Sequence, residues 1–286
     1  MVALARNFLL IAFVLIAGCV QSQSSAREGA FSVRLETSSD KVFQNKETTL
    51  YVDVQNNMIQ DAKNVRVDVF SAGLFERGAC IPAYVTPAPT GSEYIPAGDI
   101  KQGELQIVTC KLKAKEIVQN EMETTIFAKV SFGSRLQASQ IVKLISQNEF
   151  EIREKTGKIE KEPGSYTYRD DNIELDVTFS SEMPIVKKDT REFVTFKVKN
   201  IGNGFIQKLV LGTNFKFIQN PADATGKKLV DEACLAGTAE LLGNEFPAIT
   251  CELNLPSVNY LSNNVLIINI DYQYEVRESL PVKIIR

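Results

Sequence analysis

The sequence predicts an all-β protein made of two tandem antiparallel β-sandwiches. Through most of the chain, apolar residues alternate with polar ones in short runs, which is the pattern of half-buried strands. No run with a convincing helical period separates these strands, and this argues against a parallel α/β sheet. The stretch Ile107–Leu112 also returns, 141 positions later, as Ala248–Leu253, and each copy follows an earlier cysteine. This duplication divides the 286 residues into two similar halves.

Each half shows its strands in the same order. The first half has the predicted strands 31–35, 50–54, 65–69, 105–112, 126–132 and 137–145. The second half has the predicted strands 173–177, 194–198, 205–211, 249–255, 266–274 and 280–285. We therefore predict one sandwich over 31–147 and another over 172–286. The charged segment 148–171 between them is predicted to be a solvated linker, with a small hairpin closed by Thr156–Gly157 as the alternative.

The first residues have the pattern of a secretion leader, because Arg6 is followed by an apolar run and then by small residues. The apolar run covers about 13 residues, whereas a bilayer needs about 20, so a spanning helix is the weaker interpretation. The stretch Leu15–Cys19 resembles the prokaryotic lipobox, in which a small pair precedes a cysteine that is lipidated. We predict a signal peptide over 1–18, a lipidated Cys19 and a flexible polar tether over 19–30. A leader with an incidental cysteine is the alternative.

The five cysteines agree with an exported protein. Four of them form the duplicated pairs, and Cys19 is left over, as a lipid-linked residue would be. Four cysteines allow three disulfide connectivities, and the repeat favours the one that pairs Cys80 with Cys110 and Cys234 with Cys251. A zinc site built from the same thiols is the rival interpretation, but no short Cys-x-x-Cys spacing is present. We predict an extracytoplasmic protein anchored to the cell membrane by its lipid.

Two stretches resemble a known kind of module. Val52–Asn56, leading through Ala62–Val65 into the next strand, and its counterpart Phe196–Gly204 are similar to the B-to-C strand signature of CARDB-like and related immunoglobulin-like modules of prokaryotic surface proteins. The resemblance implies two immunoglobulin-like sandwiches, in which asparagine and glycine form a corner between two sheets. Antibody-type domains also carry a tryptophan between cysteines on strands B and F, and this chain has neither. The disulfides are instead expected to hold a long crossover loop against an E-like strand.

Composition argues against several classes of function. The chain has no histidine, which removes the commonest general base and metal ligand, and its net charge of −3 indicates no nucleic-acid surface. No P-loop, dinucleotide fingerprint or His-Glu-x-x-His motif occurs, and the Ser-x-x-Lys pattern at Ser38–Lys41 lacks its partner motifs. We predict no enzyme, cofactor, metal or small-molecule substrate. A carboxylate-based enzyme is the remote alternative.

A group of acidic residues before and within one predicted strand could bind calcium: Asp170, Asp171, Glu174 and Asp176. Glu174 and Asp176 alternate with apolar residues, however. That alternation favours the solvent-facing side of an ordinary strand.

Two long segments without clear periodicity, Ser71–Gly103 and Gly212–Ala248, occupy matching places in the halves. Long ordered loops on a rigid sandwich are common binding sites. The first carries Tyr84 and Tyr94, which we expect to contact a protein or envelope partner, with capping of the sandwich edge as the alternative. The sequence thus predicts a lipid-anchored, non-catalytic interaction or spacer protein of the cell surface. The second possibility is an accessory or structural subunit of an extracytoplasmic assembly, such as a filament, secretion apparatus or surface layer, that uses edge-strand pairing.

Overall fold

The computed structural model describes residues 30–82, 95–187, 190–211, 216–218, 230, 234 and 244–286. This part of the chain contains sixteen strands and one helix, and its sheets are mainly antiparallel, so the predicted all-β class is confirmed. In chain order the elements are β1 (Phe31–Thr37), β2 (Lys41–Phe43), β3 (Glu47–Asn56), β4 (Ala62–Ser71), β5 (Phe75–Pro82), β6 (Ile95–Ile100), β7 (Leu105–Ala114), β8 (Glu121–Ser146), α1 (Gln147–Lys155), β9 (Ser165–Arg169), β10 (Ile173–Phe179), β11 (Ile185–Lys187), β12 (Phe193–Asn200), β13 (Phe205–Leu211), β14 (Lys216–Ile218), β15 (Ile249–Glu252) and β16 (Ser262–Ile285).

The strands form three sheets. One four-stranded sheet, in the order β1-β3-β7-β5, comes from the first half alone, and another, β15-β12-β10-β9, comes from the second half alone. An eight-stranded sheet draws on both halves, with the main path β13-β16-β8-β4-β6 and with β2, β11 and β14 paired beside it. The two small sheets lie against this long sheet, and the buried side chains of all three sheets form one hydrophobic core.

The long sheet is built around a reciprocal exchange of strands. β8 and β16 pair antiparallel from Glu121 opposite Ile285 to Leu144 opposite Ser262. β8 begins beside β4 of the first half and ends beside β11 of the second half. β16 begins beside β13 and β14 of the second half and ends beside β2 of the first half. The last strand of each half therefore completes the sheet of the other half.

The sequence prediction was wrong in dividing each of these two long strands into two. Gly133 and Ser134 interrupt the apolar alternation of β8, and the exposed residues 277–279 interrupt that of β16, but the ladder continues through both places. Alternation reports which side chains are buried, whereas backbone hydrogen bonds hold a strand wherever its side chains point.

The segment predicted as a solvated linker contains a helix and an edge strand. Ser146 caps α1 by accepting a hydrogen bond from the Glu149 N–H (3.3 Å), and Arg153 pairs with Glu149 (2.6 Å) one turn along. None of the residues of α1 is buried, so no apolar face indicates the helix in the sequence. Thr156–Gly157 ends the helix and does not close a hairpin. Among the described residues, no helix has the length and apolar character needed to cross a bilayer.

The segments predicted as long loops are partly strands. Ser71–Gly103 contains β5, which pairs with β7, and β6, which pairs with β4. Gly212–Ala248 contains β14, which pairs with β16. Both β5 and β6 include glycine and proline, which the sequence prediction treats as turn residues.

An asparagine forms the same corner in both halves. Asn56 at the end of β3 donates from Nδ2 to the Gln60 carbonyl (2.9 Å), and Asn200 at the end of β12 donates from Nδ2 to the Gly204 carbonyl (2.7 Å). The two asparagines are 144 positions apart. Each bond bridges the same number of residues, so the duplication preserves the corner that leads from a small sheet into the long sheet.

Candidate functional site

Of the site residues predicted from the sequence, Cys19, Tyr84 and Tyr94 lie outside the described residues. The other four are cysteines, which the structure joins as Cys80–Cys110 and Cys234–Cys251. The expected role of the first bond was wrong. Cys80 lies within β5, directly opposite Cys110 on β7, so the bond links neighbouring strands of one sheet instead of holding a crossover loop.

Polar side chains from both halves meet beside the middle of the β8–β16 ladder. We call this region the junction; it is formed by Met58, Ile59, residues 170–172, Tyr272 and Tyr274. Asp170, just before β10, accepts hydrogen bonds from the N–H groups of Asn172 and Ile173 (both 2.8 Å) and from the Tyr272 hydroxyl (2.7 Å). Burial raises the pKa of Asp170, and these hydrogen bonds oppose the rise. Burial also raises the pKa of Tyr272, so its hydroxyl stays protonated and remains a donor.

The corner of the first half is bound to this network. The N–H of Ile59 donates to the Asp171 carboxylate (2.9 Å). The Asn172 amide nitrogen lies 3.2 Å from the Met58 sulfur and 3.2 Å from the Tyr272 hydroxyl oxygen. Met58 is 2% exposed, so this contact lies in the interior. Residues from both halves therefore share one network of polar contacts, which is buried where Asn172 meets Met58 and Tyr272.

A row of aromatic rings crosses the junction. Phe31 stacks on Phe132 with ring centroids 4.1 Å apart, and Phe132 lies 5.7 Å from Tyr274. The Tyr274 hydroxyl donates to Oδ1 of Asn200 (2.9 Å) and accepts from the N–H of Gly204 (2.8 Å). The corner of the second half is thus fixed to β16, as the corner of the first half is fixed to residues 170–172.

The acidic residues considered for calcium are bound by protein groups. Glu174 pairs with Lys199 (2.9 Å) and Arg169 (2.5 Å), and Lys199 also reaches Asp176 (2.8 Å). The hydrogen bond from Lys199 lowers the pKa of Glu174. Glu174 is 7% exposed, so the prediction that it faces solvent was wrong, and its basic partners compensate its charge. The described residues contain no group of three or more acidic or thiol side chains placed to hold a metal ion.

A groove of about 630 Å³ lies beside the junction. Its walls come from both halves: residues 60, 61 and 63 around the start of β4, residues 133–135 of β8, residues 208 and 210 of β13, and residues 271–273 of β16. A volume of this size is within the range of ligand-binding clefts, about 300 to 1,000 Å³. The groove is therefore the candidate binding site of the described part of the chain.

The charges of the groove are mostly paired. Arg135 forms two hydrogen bonds with Asp271 across the β8–β16 ladder, at 2.5 and 3.2 Å. Lys63 is paired with two aspartates, at 3.1 and 3.0 Å. Lys208 has no ion-pair partner among the described residues. Because two aspartates share the single charge of Lys63, one negative charge remains at that wall, and Lys208 supplies a positive charge at the opposite wall, where a ligand carboxylate could bind.

Sequence reasoning missed the groove because its walls come from four segments that are distant in the chain. The break in alternation at Gly133 and Ser134 is the one local signal of it. That break marks one end of the pairing between β4 and β8, which lies at Lys63 opposite Gly133.

No protein-family model matches this chain, and no curated protein matches it. One solved structure with a detectable likeness is Spo0M, the sporulation control protein from Bacillus subtilis. The two chains are 13% identical, the match covers 59% of this chain and 80% of Spo0M, and the TM-score is 0.22. At that TM-score the likeness supports no statement about the fold or function of this chain.

Proposed function

We propose that this chain is a lipid-anchored, non-catalytic cell-surface protein that presents two immunoglobulin-like sandwiches, as one rigid unit, to a protein or envelope partner. The reciprocal exchange of β8 and β16 carries this proposal. In each half, a small sheet and the adjoining part of the long sheet would be the two layers of one sandwich. In each half, the layer taken from the long sheet includes the end of the other half's last strand: the end of β16 in the first half and the end of β8 in the second.

The exchange removes the hinge that usually separates tandem domains. Domains joined by a linker and a small interface move relative to each other by default. Here such motion would break the ladder between β8 and the 24-residue β16 and the polar contacts of the junction. A unit of this kind suits a spacer that holds a binding surface at a fixed place relative to its anchor.

Several features support the proposed location. The leader pattern and the lipobox-like Leu15–Cys19 favour lipidation, and two disulfides fit an oxidising compartment. The carbonyl of Ala30, the first described residue, accepts a hydrogen bond from the N–H of Asn57 (2.7 Å), next to the corner that contacts the junction. A lipid on Cys19 would therefore hold the unit near its middle.

The segment Ser71–Gly103 remains our proposed partner surface, through Tyr84 and Tyr94. The strands on either side of these tyrosines are anchored, because the Cys80–Cys110 bond ties β5 to β7 and β6 pairs with β4. A segment held at both ends loses less conformational freedom when it docks.

Photo-crosslinking in intact cells tests this function. A photoreactive amino acid at Tyr84 or Tyr94 is expected to capture one envelope component, whereas the same group at Lys155, exposed at the end of α1, serves as the control. The proposal is overturned if the chain is recovered outside the envelope, or if no photoreactive position on its surface captures a component above the control.

A further inference from the structure

We infer that the groove beside the junction binds a short extended segment of a partner protein, which adds as a strand to the edge of β8 at Arg135 and Gln137. This inference rests on the proposed function, because it specifies how an interaction protein would take hold of its partner. It concerns residues other than Tyr84 and Tyr94.

β8 has one stretch whose outer edge carries no described strand. β4 pairs with β8 as far as Gly133, and β11 pairs with it from Leu144 onward. In an antiparallel ladder, alternate residues turn their backbone groups away from the partner strand. The carbonyl oxygen of Ser139 lies 3.2 Å from the Tyr168 hydroxyl of β9, which is not a strand of the long sheet. Ser139 and every second residue before it therefore turn their backbone groups outward.

Side chains cover the far part of this edge but not the part beside the groove. The Tyr168 hydroxyl donates to Oε1 of Gln140 (2.6 Å), and Nε2 of Gln140 donates to the Ile141 carbonyl (2.9 Å). The outward N–H and C=O groups of Arg135 and Gln137 have no hydrogen-bond partner within the described ranges. Unpaired backbone groups along a strand edge are a template for another strand.

The equivalent edge of β16 is protected. Between β13 and β2, no described strand pairs with the outer edge of β16 at residues 276–282, which include Arg277, Glu278 and Pro281. Charges and proline on an edge oppose strand addition. The open stretch of β8, residues 134–143, contains no proline, and its two charged residues, Arg135 and Lys143, are each paired with a carboxylate. The two halves therefore differ in the property that decides whether an edge accepts a strand.

The geometry favours a short segment over a second copy of this chain. The open edge is bounded by β4 at Gly133 and by β11 at Leu144. If the β8 edges of two copies paired symmetrically, β8 of the second copy would extend past the open stretch and collide with β4 of the first copy. β11 of the second copy would likewise collide with β8 of the first copy. A segment that turns away after a few residues meets neither strand.

The charges of the groove indicate the chemistry of the segment. Arg135 and Lys63 are already paired with aspartates, so Lys208 is the groove cation without a described ion-pair partner, and it lies on β13, on the far side of β16 from β8. We expect uncharged residues to pair with Arg135 and Gln137, and a carboxylate on the part of the segment that turns over the groove to reach Lys208, which lies three strand spacings, or about 14 Å, from the added strand. This carboxylate is either an acidic side chain or a chain terminus.

A displayed library of linear peptides tests the inference on the full chain. Selection on the wild type is compared with Gln137→Pro, which removes an outward N–H that belongs to no ladder and so spares the sheet. Ser279→Pro is the matched control, because Ser279 lies on the protected edge of β16, between the residues that pair with β13 and those that pair with β2. We expect enriched peptides to carry a carboxylate, to bind the wild type and Ser279→Pro alike, and to lose about tenfold in affinity on Gln137→Pro. Lys208→Gln is expected to weaken binding severalfold.

Hydrogen exchange keeps the test independent of the proline variant. On addition of the tightest selected peptide, the amides of Arg135 and Gln137 in the wild type are expected to become protected. The inference is overturned if those amides exchange unchanged, if no peptide is enriched on the wild type over Gln137→Pro, or if a concentration-dependent dimer disappears in Gln137→Pro. If crosslinks from Tyr84 or Tyr94 persist in cells while these results are negative, the proposed function stands and only the groove assignment fails.

Discussion

Gly133 and Gln273 lie directly opposite each other across the β8–β16 ladder, and they are 140 positions apart, which is also the offset between Val142–Ile145 and its repeat Val282–Ile285. Next to this pair, the buried rings of Phe132 and Tyr274 lie opposite each other with their centroids 5.7 Å apart. A pair that is at once opposite and equivalent lies on the approximate two-fold axis that relates the two halves. The exchange of strands is therefore symmetric about this pair, and each half depends on the other for its last strand.

Gly204→Ala is predicted to destabilise the protein by about 1 to 3 kcal/mol. A Cβ atom on Gly204 would lie 2.3 Å from the backbone oxygen of Glu275 and 2.6 Å from the Tyr274 ring. The corner of the second half would have to move away from β16 to relieve this overlap. Chemical denaturation measures the change, and Gly133→Ala is the control because its Cβ would meet Lys63 at an ordinary 3.6 Å. Equal losses in the two variants would contradict the packing described for this corner.

Asp170→Asn is predicted to change the pH dependence of stability. The raised pKa of Asp170 means that the folded state holds this proton more tightly than the unfolded chain does. The contribution of Asp170 to the unfolding free energy is thus largest when the pH is below 3.8, the ordinary pKa of this group, and it is lost as the pH rises through the raised pKa of the folded state. The unfolding free energy of the variant, relative to the wild type, should therefore rise between about pH 3 and about pH 7. If the difference in unfolding free energy between the variant and the wild type stays constant or falls over this range, burial is not the main influence on the pKa of Asp170.

Non-reducing peptide mapping is predicted to find Cys80 joined to Cys110 and Cys234 joined to Cys251. The first bond closes a loop with a sequence separation of 30. In the chain-entropy model, a loop of this size stabilises the folded state by about 3 kcal/mol. Replacing Cys80 and Cys110 together by alanine should thus lower the unfolding free energy by roughly that amount. A peptide that joins Cys80 to Cys234 would be incompatible with the sheet that holds β5 beside β7.

Cys19→Ser is predicted to release the protein from the membrane or to leave its leader uncleaved. The apolar run of the predicted leader covers about 13 residues, fewer than the roughly 20 that span a bilayer, and the other four cysteines are bonded in two pairs. Fractionation of cells and mass analysis of the mature N-terminus measure this outcome. Cys80→Ser is the control, because it should leave the membrane fraction unchanged. Wild-type protein that leaves the membrane with salt alone would rule out the lipid.

The strands and the cysteine pairs could be predicted because their signals are local or repeated. The alternation of Leu266, Ile268 and Ile270 marks one buried face of β16, and all three side chains are buried. The matching flanks of Cys110 and Cys251 select the pairing without any knowledge of the sheets. Such signals need only neighbouring residues or one duplicated pattern.

The exchange and the groove could not be predicted, because alternation shows which face of a strand is buried but not which strand lies beside it. The sequence alternates around Ile284 in the same way whether this part of β16 belongs to the sheet of the first half or of the second. Only the pairing of Ile284 with Val42 of β2 shows that it belongs to the first half. The helix α1 was missed for the opposite reason, since its stability comes from the Ser146 cap and the Glu149–Arg153 pair and not from a buried face.

An engineered disulfide between Lys129→Cys and Arg277→Cys tests the strand exchange most directly. These residues lie opposite each other near the first-half end of the ladder, at a pair that β16 reaches only by leaving the second half. Opposite residues of this kind have Cα atoms about 4.5 to 5.5 Å apart, within the range of a disulfide. The account predicts rapid, complete bond formation in the folded protein and none in the shifted pair Lys129→Cys with Gln273→Cys. Absence of the first bond, or equal formation of both, would show that the last strand of the chain does not complete the first half.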